Sequence, residues 1–233
     1  VLSGMGTALK AAAAATAAAV AGAATAIGAL TTKAIEGYAA QEQLVGGVET
    51  LFKTSSDTVV GYANDAYKTA GMSANEYMET VTSFSASLLA SMNNDTAAAA
   101  EKANVAITDM SDNANKMGTD ISLIQNAYNG FAKQNYTMLD NLKLGYGGTK
   151  EEMQRLLDDA SKLSGIKYDI SSYSDVVDAI HVVQTEMGIT GTTAKEASTT
   201  IEGSVSSMSL AWDNWVAGMA DSEANFSQLT SNL

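Results

Sequence analysis

The stretch SANEYMETVTSFSASLL, residues 73–89, decides the fold. Ser73 stands three residues before Glu76, the spacing at which a hydroxyl caps a helix N-terminus while the carboxylate reaches back to the capping residue. Behind it Tyr77, Val81, Phe84 and Leu88 recur every four and three residues, which places them on one helical face. The same pattern extends outward. Thr149 with Glu152 and Thr193 with Glu196 predict two further helix starts. Ala103, Ile107, Met110, Ala114 and Met117 form one apolar face. Ile121, Ile124, Tyr128 and Phe131 form another, and Val176, Ile180, Val183 and Met187 a third. Gly71, Gly118, Gly165 and Gly188 suit the left-handed residue that ends a helix. No window alternates as a strand does between hairpin turns. The expected fold class is all-α: an Ala-rich N-terminal helix followed by a multi-helix bundle.

Composition agrees. The 233 residues contain no Pro, the residue that breaks helix interiors by clash and by loss of an amide donor. Lys+Arg 13 against Asp+Glu 26 gives a net charge of −13, so no basic face is available and no specific nucleic-acid binding is expected. With Cys 0 and His 1, thiolate metal sites, cysteine nucleophiles, disulfides and imidazole-rich zinc sites are excluded. The opening Val1 suggests a piece of a longer polypeptide.

Two segments differ in composition. Residues 1–33 form an Ala-rich helical segment in which 11–32 carry no charge. That stretch is long enough to span a bilayer, yet only Val20, Ile27 and Leu30 are strongly apolar, and three such residues contribute little insertion energy. A slim helix that packs closely on its neighbours is one reading. Conditional membrane insertion through Val20, Ile27 and Leu30 is the second, and the outline of a secretory signal is the third. Residues 34–233 read as the helical domain. Within it, 134–149 is irregular yet apolar, and a loop of that composition packs on a core or meets a partner. A second irregular patch covers 164–174.

The most regular pattern lies near the end. Ile201, Val205, Met208, Trp212, Trp215 and Met219 follow four–three spacing, the a/d seam of a coiled coil. The register continues through Ser222, Phe226, Leu229 and Leu233. Such a stripe serves as a core face or as a self-association seam, with core packing the commoner use.

Chemical motifs fail on inspection. GYGGTK at 145–150 has Thr149 before Lys150, the wrong order for a phosphate loop, and reads as a turn whose Thr149 caps the next helix. Glu151, Glu152, Asp158 and Asp159 read as a first turn and a solvated face. Asp109, Asp112, Asn113 and Asn115 lack the spacing of a calcium loop. His181, among Ile180, Val182 and Val183, reads as a partly buried packing residue. No catalytic, cofactor-binding or metal residue is assigned, no cofactor is expected, and the chain is not expected to be an enzyme.

Longer strings carry more information. EQLVGGVETLFKTSSDTVVGYANDAYKTAGMSANEYMETVTSFSASLL (42–89), ITDMSDNANKMGTDISLIQNAYNGFAKQNYTMLDNLKLGYGGTKEEMQRLLDDA (107–160) and AIHVVQTEMGITGTTAKEASTTIEGSVSSMSLAWDNWVAGMAD (179–221) resemble bacteriophage tail tape-measure proteins. The resemblance runs over residues 34–233 and is weakest at 164–175. It implies a non-enzymatic tail-assembly scaffold of a long-tailed phage or prophage, assembled in the host cytoplasm and held in the virion tail lumen. The implied partners are the tail tube protein, tail chaperones and tail tip proteins, with a homo-oligomer and transient membrane contact. In that family the length of the protein sets tail length, and the protein leaves ahead of the DNA. The caps and glycine stops point to a folded module of such a protein, not its extended ruler.

Overall fold

The computed structural model describes residues 40–199 and 201–218, with side chains in the last helix from 205 to 215. The Ala-rich segment, with Val20, Ile27 and Leu30, lies outside the described residues, as do the boundary near 34, the side chain of Ile201, and Met219 with everything after it. The fold is all-α, and no strand occurs among the described residues. Helix α1 covers 40–52 and passes through a short 3-10 turn, Lys53–Ser55, into α2 (Ser56–Thr69). Then come α3 (Ala74–Ser91), α4 (Thr96–Met117), α5 (Ile121–Phe131), α6 (Lys150–Ser164), α7 (Tyr173–Glu186), α8 (Thr192–Thr199) and α9 (Ile201–Gly218).

Local chemistry sets these boundaries. Ser73 completes the expected capping box: its side chain accepts from the Glu76 amide, and Glu76 accepts from the Ser73 amide at 2.7 Å. Asp95 caps α4 by accepting from the amides of Ala97 and Ala98, and Asp120 caps α5 through the Ser122 amide. Thr149 caps α6 as expected, accepting from the Glu152 amide at 3.2 Å. Gly71, Gly118, Gly165 and Gly188 all take positive φ, the conformation an L side chain resists.

The expected start at Thr193 is a correction. Helix α8 begins one residue earlier, and Thr193 gives its amide to Asp112 on α4 at 2.8 Å. Its own hydroxyl is buried without a partner, and Glu196 accepts from Asn115. A carboxylate from a distant helix replaces the local cap.

Helix α4 lies centrally, against α2, α3, α5, α7 and α8, while α6 packs on α7. Each large side chain buried here contributes about 1.5–3 kcal/mol relative to exposure. Tyr77, Val81, Phe84 and Leu88 are buried, as are Ala103, Ile107, Met110, Ile124, Tyr128, Phe131, Val176, Ile180 and Val183. Ala114, Met117 and Ile121 are half-buried against that core. Met187 is the exception on the last face: it caps the end of α7 and is 44% exposed.

The apolar loop after α5 packs down on the core. Tyr136, Leu139, Leu142 and Leu144 are all buried, and the Tyr136 hydroxyl donates to the Ile170 carbonyl at 2.9 Å. Tyr168 and Tyr173, at the second irregular patch, are buried as well. The loop closes where Gly148 meets the backbone of Thr137. A Cβ on Gly148 would sit 2.2 Å from the Thr137 carbonyl oxygen, so only glycine fits. By contrast, a Cβ on Gly61 in α2 meets nothing within 4 Å. Gly148→Ala is therefore expected to cost about 2 kcal/mol or more, whereas Gly61→Ala is expected to add roughly 0.5–1 kcal/mol. Urea unfolding of the two variants checks both signs.

Candidate functional site

Helix α9 presents its apolar stripe outward. Val205 is 55% exposed, Met208 59% and Trp212 46%, and Trp215 is half-buried. The expectation that core packing uses this face is overturned for these residues. A different face, roughly a third of a turn round the helix, makes the contact. There Ser207 donates to the Tyr67 carbonyl at 3.2 Å, Asn214 accepts from the Ala74 amide at 3.0 Å, and Ala211 is buried. Those two backbone groups lie in the last turn of α2 and the first turn of α3, where a helix cannot satisfy its own polar atoms. Helix α9 is thus oriented by polar groups that complete two other helices, and Val205, Met208 and Trp212 are left on the outside. Trp212 and Trp215 turn to each other, ring centroids 4.9 Å apart and tilted by 33°.

Behind α9 a groove of about 700 Å³ opens between α3, α4, α5 and α8. Glu76, Glu79 and Glu196 line it together with amide and hydroxyl side chains, and no Lys or Arg does. Its chemistry therefore disfavours anions. Among the described residues no cluster of three His, Cys, Asp or Glu is placed to hold a metal. The calcium-like quartet disperses: Asp109, Asp112 and Asn113 are buried on α4, each serving a different neighbour, and Asn115 donates to Glu196. Asn113 donates to the Leu142 carbonyl at 3.0 Å, and Asp112 accepts from the amides of Gly191 and Thr193 at 2.6 and 2.8 Å.

Asp109 pairs with His181, whose Nδ1 stands 3.0 and 2.9 Å from the two carboxylate oxygens. The expectation of His181 as a partly buried residue holds, but the pairing was not visible in the sequence, because the partners lie 72 residues apart. Lys102 and Asp178 form a second ion pair across the same α4–α7 seam. The hydrogen bond to Asp109 raises the pKa of His181 against the opposing effect of burial. Burial raises the pKa of Asp109, with His181 acting in the lowering direction. Tyr128 and Gln184, both fully buried, close the seam on the inside. The pair resembles the base and orienting acid of a hydrolase only in part, because no nucleophile is bonded to the imidazole.

The turn at 145–150 is occupied by the chain itself. Gly147 donates its amide to Glu152 at 3.0 Å, and Arg155 binds Glu152 and the Gly145 carbonyl while its guanidinium lies 4.3 Å from the Tyr146 ring centre. These bonds, led by that from Arg155, hold the Glu152 carboxyl down at about 2. An amide that a phosphate would need is already taken.

The chain matches no protein-family model, no curated protein and no solved structure.

The seam makes a pH prediction. Because the folded pKa of His181 is raised, its contribution is complete below about 6.5 and is lost as pH rises through the raised value. Urea unfolding is expected to show falling stability across that range. In His181→Ala the buried Asp109 carboxylate loses its partner, at a cost of about 2 kcal/mol near pH 6, and the slope attributable to His181 disappears.

Proposed function

We propose that this chain is a folded helical module of a bacteriophage tail tape-measure protein, acting as a non-enzymatic scaffold in the tail of a long-tailed phage or prophage. The long strings at 42–89, 107–160 and 179–221 support the reading, since they resemble that family in order and without large gaps. The structural observation that supports it furthest is the all-α body itself, a run of capped helices that suits a helical module of a protein with a net charge of −13. Working with tail tube, chaperone and tip proteins in the host cytoplasm, the whole protein sets tail length, occupies the lumen and leaves ahead of the DNA. Helix adds about 1.5 Å per residue, which ties gene length to physical length in the extended parts. The bundle of 40–199 is a folded station along such a protein. A net charge of −13 repels the duplex that follows through the same tube.

The second reading is a membrane-active protein that assists genome passage, favoured by the uncharged stretch 11–32. No helix among the described residues is long and apolar enough to cross a membrane, and 11–32 lies outside them.

Mass spectrometry of tails purified from the source phage or induced prophage is expected to find peptides from 40–218, and particles that have released their DNA are expected to lack them. Recovery of those peptides only outside tails would sink the scaffold reading. For the membrane reading, liposome flotation must require residues 1–33; equal flotation with and without them removes it.

A further inference from the structure

We infer that the stripe on α9 is covered by the Ala-rich stretch 11–32 of the same molecule. Val205, Met208 and Trp212 are about half exposed, and α9 meets α2 and α3 through Ser207, Ala211 and Asn214 instead. A large apolar strip left open on a helix needs an occupant. Charge selects among occupants. From Glu196 to the C-terminus the chain carries Glu196, Glu202, Asp213, Asp221 and Glu223 and no Lys or Arg. A second copy of α9 brings like charge to the strip. The first 35 residues carry Lys10 and Lys33 and no carboxylate.

Size also selects. Trp212 and Trp215 form a bulky ridge with ring centroids 4.9 Å apart. Residues 11–32 are almost all Ala, Gly and Thr, a slim surface against which large side chains pack with few voids. Reach is adequate. As helix the stretch is about 33 Å long, against about 15 Å from Val205 to Trp215. Residues 33–39 add up to about 25 Å of tether, and a body of this size measures about 40 Å across. A tether of that length holds the two parts at a millimolar effective concentration, which favours the same molecule over a neighbour. This inference does not depend on the tail reading, and either can fail alone.

Trp212 and Trp215 are the chain's two tryptophans, so indole fluorescence reports on this strip alone. Acrylamide quenching of the full chain is expected to be weak and unchanged on hundred-fold dilution. In the full-length variant carrying Val20→Glu and Ile27→Glu, quenching is expected to rise several-fold while the urea midpoint stays in place. Because the chain has Cys 0, a full-length Ala17→Cys, Met208→Cys variant gives a second readout: oxidation is expected to yield an internally bridged monomer. Strong quenching in the unmodified chain, indifference to the two Glu substitutions, shielding lost on dilution, or a bridge between two molecules would each overturn the inference. So would insertion of the stretch into vesicles with the indoles still open to acrylamide.

Discussion

The burial of the Asp112 carboxylate beneath the first turn of α8 is the contact on which the arrangement of the C-terminal limb depends. A fully buried carboxylate is costly unless each oxygen finds a donor. Here one oxygen takes the Gly191 amide and the other the Thr193 amide. The charge also lies at the positive end of α8, where the helix dipole favours it. Because Asp112 belongs to the central helix α4, this contact fixes where α8 starts and therefore where α9 runs. Asp109 and Asn113, on either side of it in α4, do the same for α7 and for the loop at Leu142. One helix thus reaches three neighbours through Asp109, Asp112 and Asn113, each bonded to a different kind of partner.

Much of the bundle was legible in the sequence because the signals that build it are local. A capping hydroxyl, its glutamate and the apolar face behind them lie within one or two turns, so Ser73 and the helix after it read directly. The four glycine stops read for the same reason. The apolar loop at 134–149 was half legible: its composition demanded burial but left the choice between core and partner open. Thr193 misled because the true cap comes from Asp112, 81 residues away, and no local pattern records that. His181 with Asp109 is hidden by the same kind of distance.

The stripe on α9 shows a different limit. Periodicity says that Val205, Met208, Trp212 and Trp215 share a face, but not which way that face points. Direction was decided by Ser207 and Asn214, which find unsatisfied backbone groups at the ends of α2 and α3. Leaving such groups bare in a protein interior costs more than leaving a methionine half in water. Polar completion of neighbouring helices therefore outweighed apolar burial in orienting this segment. The functional reading changes with it, from a core helix to a surface that meets something.

Of the side chains described on α8 and α9, only Ala211 is buried, while α2 to α7 share a continuous apolar interior. Cohesion is therefore graded along the polypeptide, since regions with little apolar burial open at lower free energy than a packed core. A pull applied at the end of α9 meets the weakest attachments first, and strips α8 and α9 away like a tab while the bundle of α2 to α7 stays knit. Traction applied at the start of α1 must draw Val48 and Phe52 out of the interior. The molecule has a built-in easy direction for being drawn out.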